Sequence, residues 1–252
     1  MLIFSQPPAT RYDLRFTLFG IPVRVHPLFW LITALLGASA GSLIGVLVWV
    51  PAVFLSILVH ELGHALAMRR FGQVPQITLH YGGGLTTAEP FWWGGRPVSV
   101  PLTPGQEVLI ALAGPGAGFA LAALVLGIVA AAGGTVSATM LLGVLPLPSA
   151  TLPAGGWLFD WIVATFLWIN IFWGVINLLP VFPLDGGNIA RTLLVHSDPW
   201  NGVRKSLRLS MAVGAVVAAV GLIFLASPFL ALLFGYLAFT SYMALRGGGI
   251  AV

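Results

Sequence analysis

The 252-residue chain is 58% hydrophobic and only 7% charged, with a formal net charge of +4 and no cysteine. A soluble domain carries about 25% charged residues, so a water-soluble fold is excluded, as are disulfides and thiolate metal sites. The basic residues form no stripe on a soluble face, which argues against a nucleic-acid partner and leaves the lipid bilayer as the chain's medium.

The opening MLIFSQPPATRYDLRF has no basic region followed by an apolar core and cleavage site, so no removable signal peptide is expected. In DLRFTLFGIPVRVHP, Leu14, Phe16 and Leu18 alternate, then Ile21, Val23 and Val25, around a turn containing Gly20. That pattern predicts a hairpin. Apolar stretches follow at roughly 28–41, 43–70, 106–132, 156–180, 203–225 and 228–245. No charge interrupts the chain from Arg24 to Glu61, from Glu107 to Asp160 or from Arg208 to Arg246. Each gap exceeds the roughly 20 apolar residues of a spanning helix. Between the second and third stretches, QVPQITLHYGGGLTTAEP mixes β-branched residues with glycines at 82–84, and RPVSVPL alternates again. Either 14–25 or 74–87 is expected to offer an edge strand to an extended substrate backbone. Glu89 with the FWWGG cluster after it reads as an interfacial aromatic anchor.

Six spans with the N-terminus inside put Arg11, Arg15, Arg24, Arg69, Arg70, Arg96, Arg191, Arg204, Lys205, Arg208 and Arg246 on one side, which is every Lys and Arg in the chain. By the positive-inside rule that side is cytoplasmic, and both termini lie there. The expectation is an all-α polytopic membrane protein of about six transmembrane helices with short β-hairpin and strand segments at the cytoplasmic face. It is a single domain over 1–252, with a core at about 20–190 and C-terminal helices at about 203–245.

The stretch LVHELGH at 58–64 sits within the second apolar run. Ionisable residues at membrane depth are costly and mark function. Positions i and i+4 of a helix share a face, so His60 and His64 can bind one zinc ion, with Glu61 one residue round as general base. Gly63 removes a side chain beside the pair, which leaves room for substrate. A catalytic zinc takes three protein ligands and keeps an open position. In NLLPVFPLDGG at 177–187, Pro180 and Pro183 prevent a regular helix, and Gly186 and Gly187 permit a sharp change of direction. Asp185 stands at that break, on the same side of the membrane as His64, and is the expected third ligand. His26 and His80 read as interfacial hydrogen-bonding residues, Asp160 and Asn170 as helix–helix hydrogen bonders, and Gly114 and Gly118 as close-packing positions.

HELGHALAMRRFG together with NLLPVFPLDGG resembles the site-2 protease family of intramembrane zinc metalloproteases. YGGGL, and AGPGAG at 113–118, are also like segments of that family. The resemblance implies one zinc per chain, held by His60, His64 and Asp185, with Glu61 as base. It also implies that Asn177 orients or polarises the substrate. The implied activity is endoproteolysis within the transmembrane segments of single-span membrane proteins, such as anti-sigma factors, membrane-tethered transcription factors or signal-peptide remnants. The implied location is a bacterial inner or plasma membrane. The chain is expected to be a compact form without a PDZ or nucleotide-binding domain, and Gly118 and Phe119 stand where relatives often carry asparagine. Two other functions fit some of these residues: an ion or metal transporter, since broken helices near a carboxylate suit transport, and a catalytically inactive relative that binds membrane proteins.

Overall fold

In a computed structural model of the chain, the described residues are 7–38, 41–89, 91–93, 96–98, 100–143 and 145–247. The predicted hairpin forms: β1 (Leu14–Leu18) pairs antiparallel with β2 (Ile21–Val25), with Leu18 opposite Ile21. Phe19 and Gly20 form its two-residue turn at φ 50° and 78°. Positive φ at both positions is what the tightest right-twisted hairpins require. Asp13, its side chain fully buried, accepts hydrogen bonds from the Thr10 amide (3.0 Å), the Thr10 hydroxyl (2.6 Å) and Arg24 (3.1 Å). Burial works to raise the Asp13 carboxyl, but the Thr10 and Arg24 donors overcome it and hold the group at about 2, against an ordinary 3.8.

Helices α1 (Pro27–Gly37) and α2 (Leu43–Arg70) then lead out and back to the same sheet. The returning strand β3 (Pro75–His80) pairs parallel with β2, and β4 (Gly83–Ala88) pairs antiparallel with β3. The resulting order, β1-β2-β3-β4, leaves β1 and β4 as the edges. Ile21, Val23 and Val25 of β2 and Ile77 and Leu79 of β3 bury one face against Phe29, Leu58 and Ala65 of the two helices. Arg69 closes the arrangement by donating to the Phe19 carbonyl at 2.6 Å. A short hairpin follows, β5 (Phe91–Trp93) with β6 (Arg96–Val98). Gly94, Gly95 and the aromatic side chains of the expected anchor lie outside the described residues.

Helix α3 (Pro104–Ala131) precedes a hairpin of β7 (Thr135–Leu141) and β8 (Leu145–Thr151), which fills the interval between the third and fourth apolar stretches. Asp160 does not join two helices; its Oδ1 accepts from the Leu152 amide at the end of β8. Next come α4 (Gly156–Leu167), a π-helical turn (Trp168–Trp173) and α5 (Gly174–Asn177), which together form one apolar rod. Helix α6 (Asp185–Ser197) follows a break, and α7 (Gly202–Ile223) packs against α8 (Pro228–Arg246).

Five helices among the described residues are long and apolar enough to cross a membrane: α2, α3, the α4–α5 rod, α7 and α8. Helix α1 has 11 residues, about 16 Å at the helical rise, which is short of the roughly 30 Å hydrocarbon core. Of GASAGS at 37–42, where the first two apolar stretches are expected to divide, Ser39 and Ala40 lie outside the described residues. Backbone proximity divides the chain into two compact units. One holds the chain up to Pro101 together with Ala113–Ile176; the other holds Leu102–Leu112 and the chain from Asn177 onward.

Candidate metal centre

His60 and His64 lie one helical turn apart on α2, and their Nε2 atoms approach to 3.1 Å with the rings nearly perpendicular, at 80°. Two nitrogens bound tetrahedrally to one zinc at about 2.0–2.1 Å would be about 3.3 Å apart. The pair therefore converges on a common point at close to the separation that zinc requires. His64 is buried and His60 half-buried.

Glu61 is 6% exposed and is turned toward β4. The Thr86 hydroxyl lies 2.7 Å from Glu61 Oε2 and 3.1 Å from the Glu61 carbonyl oxygen, so it donates its hydrogen bond to Glu61 whichever oxygen accepts. Gly84 comes closer still: a Cβ there would stand 2.3 Å from Glu61 Oε1 and 2.4 Å from Cγ. The sheet thus reaches about nine residues up α2 from Arg70, or roughly 14 Å. It is not confined to the end of the helix. The glycine cluster at 82–84 and the strand expected over 74–87 include Gly84 and Thr86, but that they meet Glu61 comes from which strand lies beside α2.

Helix α3 closes the other side. A Cβ on Gly114 would stand 2.2 Å from His64 Nε2, and one on Gly63 would stand 2.3 Å from the Ala113 carbonyl oxygen and 2.8 Å from Ala117 Cβ. The expectation that Gly63 leaves room for substrate is overturned, because α3 occupies that room. Gly114 and Gly118 do serve close packing, Gly114 against a site residue and Gly118 beside Asn170. Asn170, in the π-helical turn, donates to Ser56 Oγ at 2.8 Å and to the Phe166 carbonyl at 2.9 Å. Ser56 lies one turn before His60, so this bond ties the π-helical turn to the helix that carries the histidines.

His26 and His80 are backbone acceptors. His26 Nδ1 caps α1 at the Leu28 amide (3.2 Å), and His80 Nδ1 accepts from the Gly82 amide (3.1 Å). Burial, then the charges of His26 and Arg24, hold His80 below the usual histidine range.

Asp185 belongs to the other unit, as the first residue of α6. Residues 178–184 are irregular, with a cis bond between Phe182 and Pro183. Gly186 and Gly187 are helical. They are required because the chain doubles back tightly: a Cβ would meet the Leu178 carbonyl oxygen at 2.0 Å and the Phe182 nitrogen at 2.4 Å respectively. Asn177 ends α5, half-buried.

A histidine pair one turn apart, on a helix apolar enough to span a membrane, with a carboxylate between them in sequence, is the arrangement in which zinc peptidases carry their metal ligands and base. Residues 48–222 match peptidase family M50, and the chain belongs to that family. Two curated relatives, each named "Putative zinc metalloprotease", match 81% of this chain. They are sll0528 of Synechocystis, 29% identical over 221 residues, and Rip3 of Mycobacterium tuberculosis, 32% identical over 220. The match covers 50% and 49% of those proteins, so this chain spans about half their length. The solved structure of a site-2 protease from Methanocaldococcus jannaschii shares the fold at a TM-score of 0.57 and 21% identity, over 96% of this chain and 99% of that one. The chain is an integral membrane protein, and zinc is the metal that family membership brings to this site.

Proposed function

We propose that this chain is an intramembrane zinc endopeptidase that cuts transmembrane segments of single-span membrane proteins. The observation that carries the reading is Glu61, a buried carboxylate between two convergent histidines and hydrogen-bonded to an edge strand. His60, His64 and Asp185 would hold the metal, two imidazoles and one carboxylate being a ligand set that suits zinc. Bound zinc would polarise water and the scissile carbonyl as a Lewis acid. The chain's own residues supply the rest. Glu61 takes a proton from the attacking water and delivers it to the leaving amine. Thr86 holds the Glu61 carboxylate in place for both transfers. Asn177 orients the substrate carbonyl.

A transmembrane helix must unwind before its carbonyls are open to attack, and the free edge of β4 beside Glu61 would receive the extended stretch. In this reading both units act as one membrane-embedded domain over 1–252. The site lies toward the cytoplasmic face of a bacterial membrane and the termini are cytoplasmic: α1 and α2 lead out from one sheet and back to it, four spans follow, and the basic residues then all fall on that face.

The test is zinc content with cleavage of a reconstituted single-span substrate for wild type, Glu61→Gln and Asp185→Ala. The expected pattern is one zinc in wild type and in Glu61→Gln, little in Asp185→Ala, and cleavage by wild type alone. Cleavage by Glu61→Gln at the wild-type rate would refute the assignment of the base.

A further inference from the structure

Pro180 and Pro183 leave the 178–184 segment short of regular hydrogen bonding, yet broken backbone at membrane depth persists only where its polar groups find partners. Within the segment, the Val181 amide donates to the Leu179 carbonyl at 2.7 Å and the Leu184 amide to the Val181 carbonyl at 2.9 Å. The Phe182 amide goes elsewhere: it donates to Ser210 Oγ on α7 at 3.0 Å. The same hydroxyl reaches back to the Pro180 carbonyl at 3.4 Å. Ser210 is 1% exposed, among the most buried polar residues described. The Phe182 nitrogen is also the atom against which Gly187 rests, two residues beyond Asp185. The turn of α6 that carries Asp185 is therefore seated on backbone that Ser210 secures from a separate helix.

We infer that Ser210 is a positioning residue for Asp185, holding the 180–183 backbone so that the carboxylate stands ready for zinc. The inference rests on the reading of Asp185 as the third zinc ligand. Losing a group that orients a metal ligand typically costs about 10–100-fold in metal affinity. Ser206, one turn earlier on α7 and also buried, donates only to the Val203 carbonyl of its own helix and provides the matched control.

The experiment uses the full-length protein in detergent, with zinc retention against a competing chelator and amide hydrogen exchange of the zinc-free protein as readouts. Ser210→Ala is expected to weaken zinc retention by about tenfold and to speed exchange in peptides covering 178–190, with α8 unchanged. Ser210→Thr, which restores the hydroxyl, should return both readouts toward wild type. Ser206→Ala should leave both unchanged. Wild-type zinc retention in Ser210→Ala would overturn the inference, and so would faster exchange throughout α7 and α8, which marks a merely structural role. The underlying reading has its own controls. A wild type that binds no zinc, or an Asp185→Ala that retains it, refutes the three-ligand site and the Ser210 inference with it.

Discussion

Gly114→Ala adds a single methyl group and tests how α3 orients the metal site. The new Cβ would stand 2.2 Å from His64 Nε2, 2.4 Å from Cε1 and 2.8 Å from Cδ2, where ordinary contact begins at 3.4 Å. The imidazole, or the helix behind it, must move by about 1.2 Å, whereas metal–ligand distances tolerate only about 0.2 Å. The backbone works in the opposite direction, since alanine is favoured over glycine inside a helix by about 0.8–1.0 kcal/mol. Gly116→Ala on the same helix gains that preference too and has nothing within 4 Å of its new Cβ. Gly114→Ala should therefore lose zinc retention by at least about tenfold, with its melting temperature in the zinc-free state unchanged or raised, while Gly116→Ala keeps wild-type zinc. The assay is chelator competition paired with thermal unfolding of the zinc-free proteins. Wild-type zinc retention in Gly114→Ala would refute the argument that the approach of α3 sets the His64 ring.

Thr86→Val removes the donor to Glu61 Oε2 while preserving shape. A hydrogen bond to a charged group is worth about 1.5–3 kcal/mol, so cleavage should slow by up to about 10–100-fold with zinc content unchanged; a loss of zinc would contradict the role given to Thr86. Prolines placed along β4 at amides that face away from β3 should reduce cleavage without removing zinc, and undiminished cleavage across the whole series would rule out pairing of substrate at that edge. The Asp13 carboxyl is lowered from 3.8 to about 2 on folding, so its contribution is complete above pH 3.8 and lost as pH falls through about 2. Amide protection factors in β1 and β2 should fall across that window in wild type and show no such step in Asp13→Asn.

Composition alone determined that this chain lives in a membrane, because a surface with so few charges cannot be solvated. Helical periodicity alone put His60 and His64 on one face, and strand alternation with Gly20 marked the first hairpin. These features are local: each follows from the geometry of one element, which the order of residues encodes directly. The tertiary structure decided the remainder. It drew α6 out of a stretch whose paired glycines weaken any helical signal, shortened α1 below the length of a span, and built the β7–β8 hairpin between the third and fourth apolar stretches. It also brought Gly84 and Thr86 to Glu61, Gly114 to His64 and Ser210 to the backbone before Asp185. Most of these contacts are made by glycines and small hydroxyls, whose use lies in how closely another element can approach. That approach depends on which helix or strand lies opposite, and no periodicity within a single segment records it.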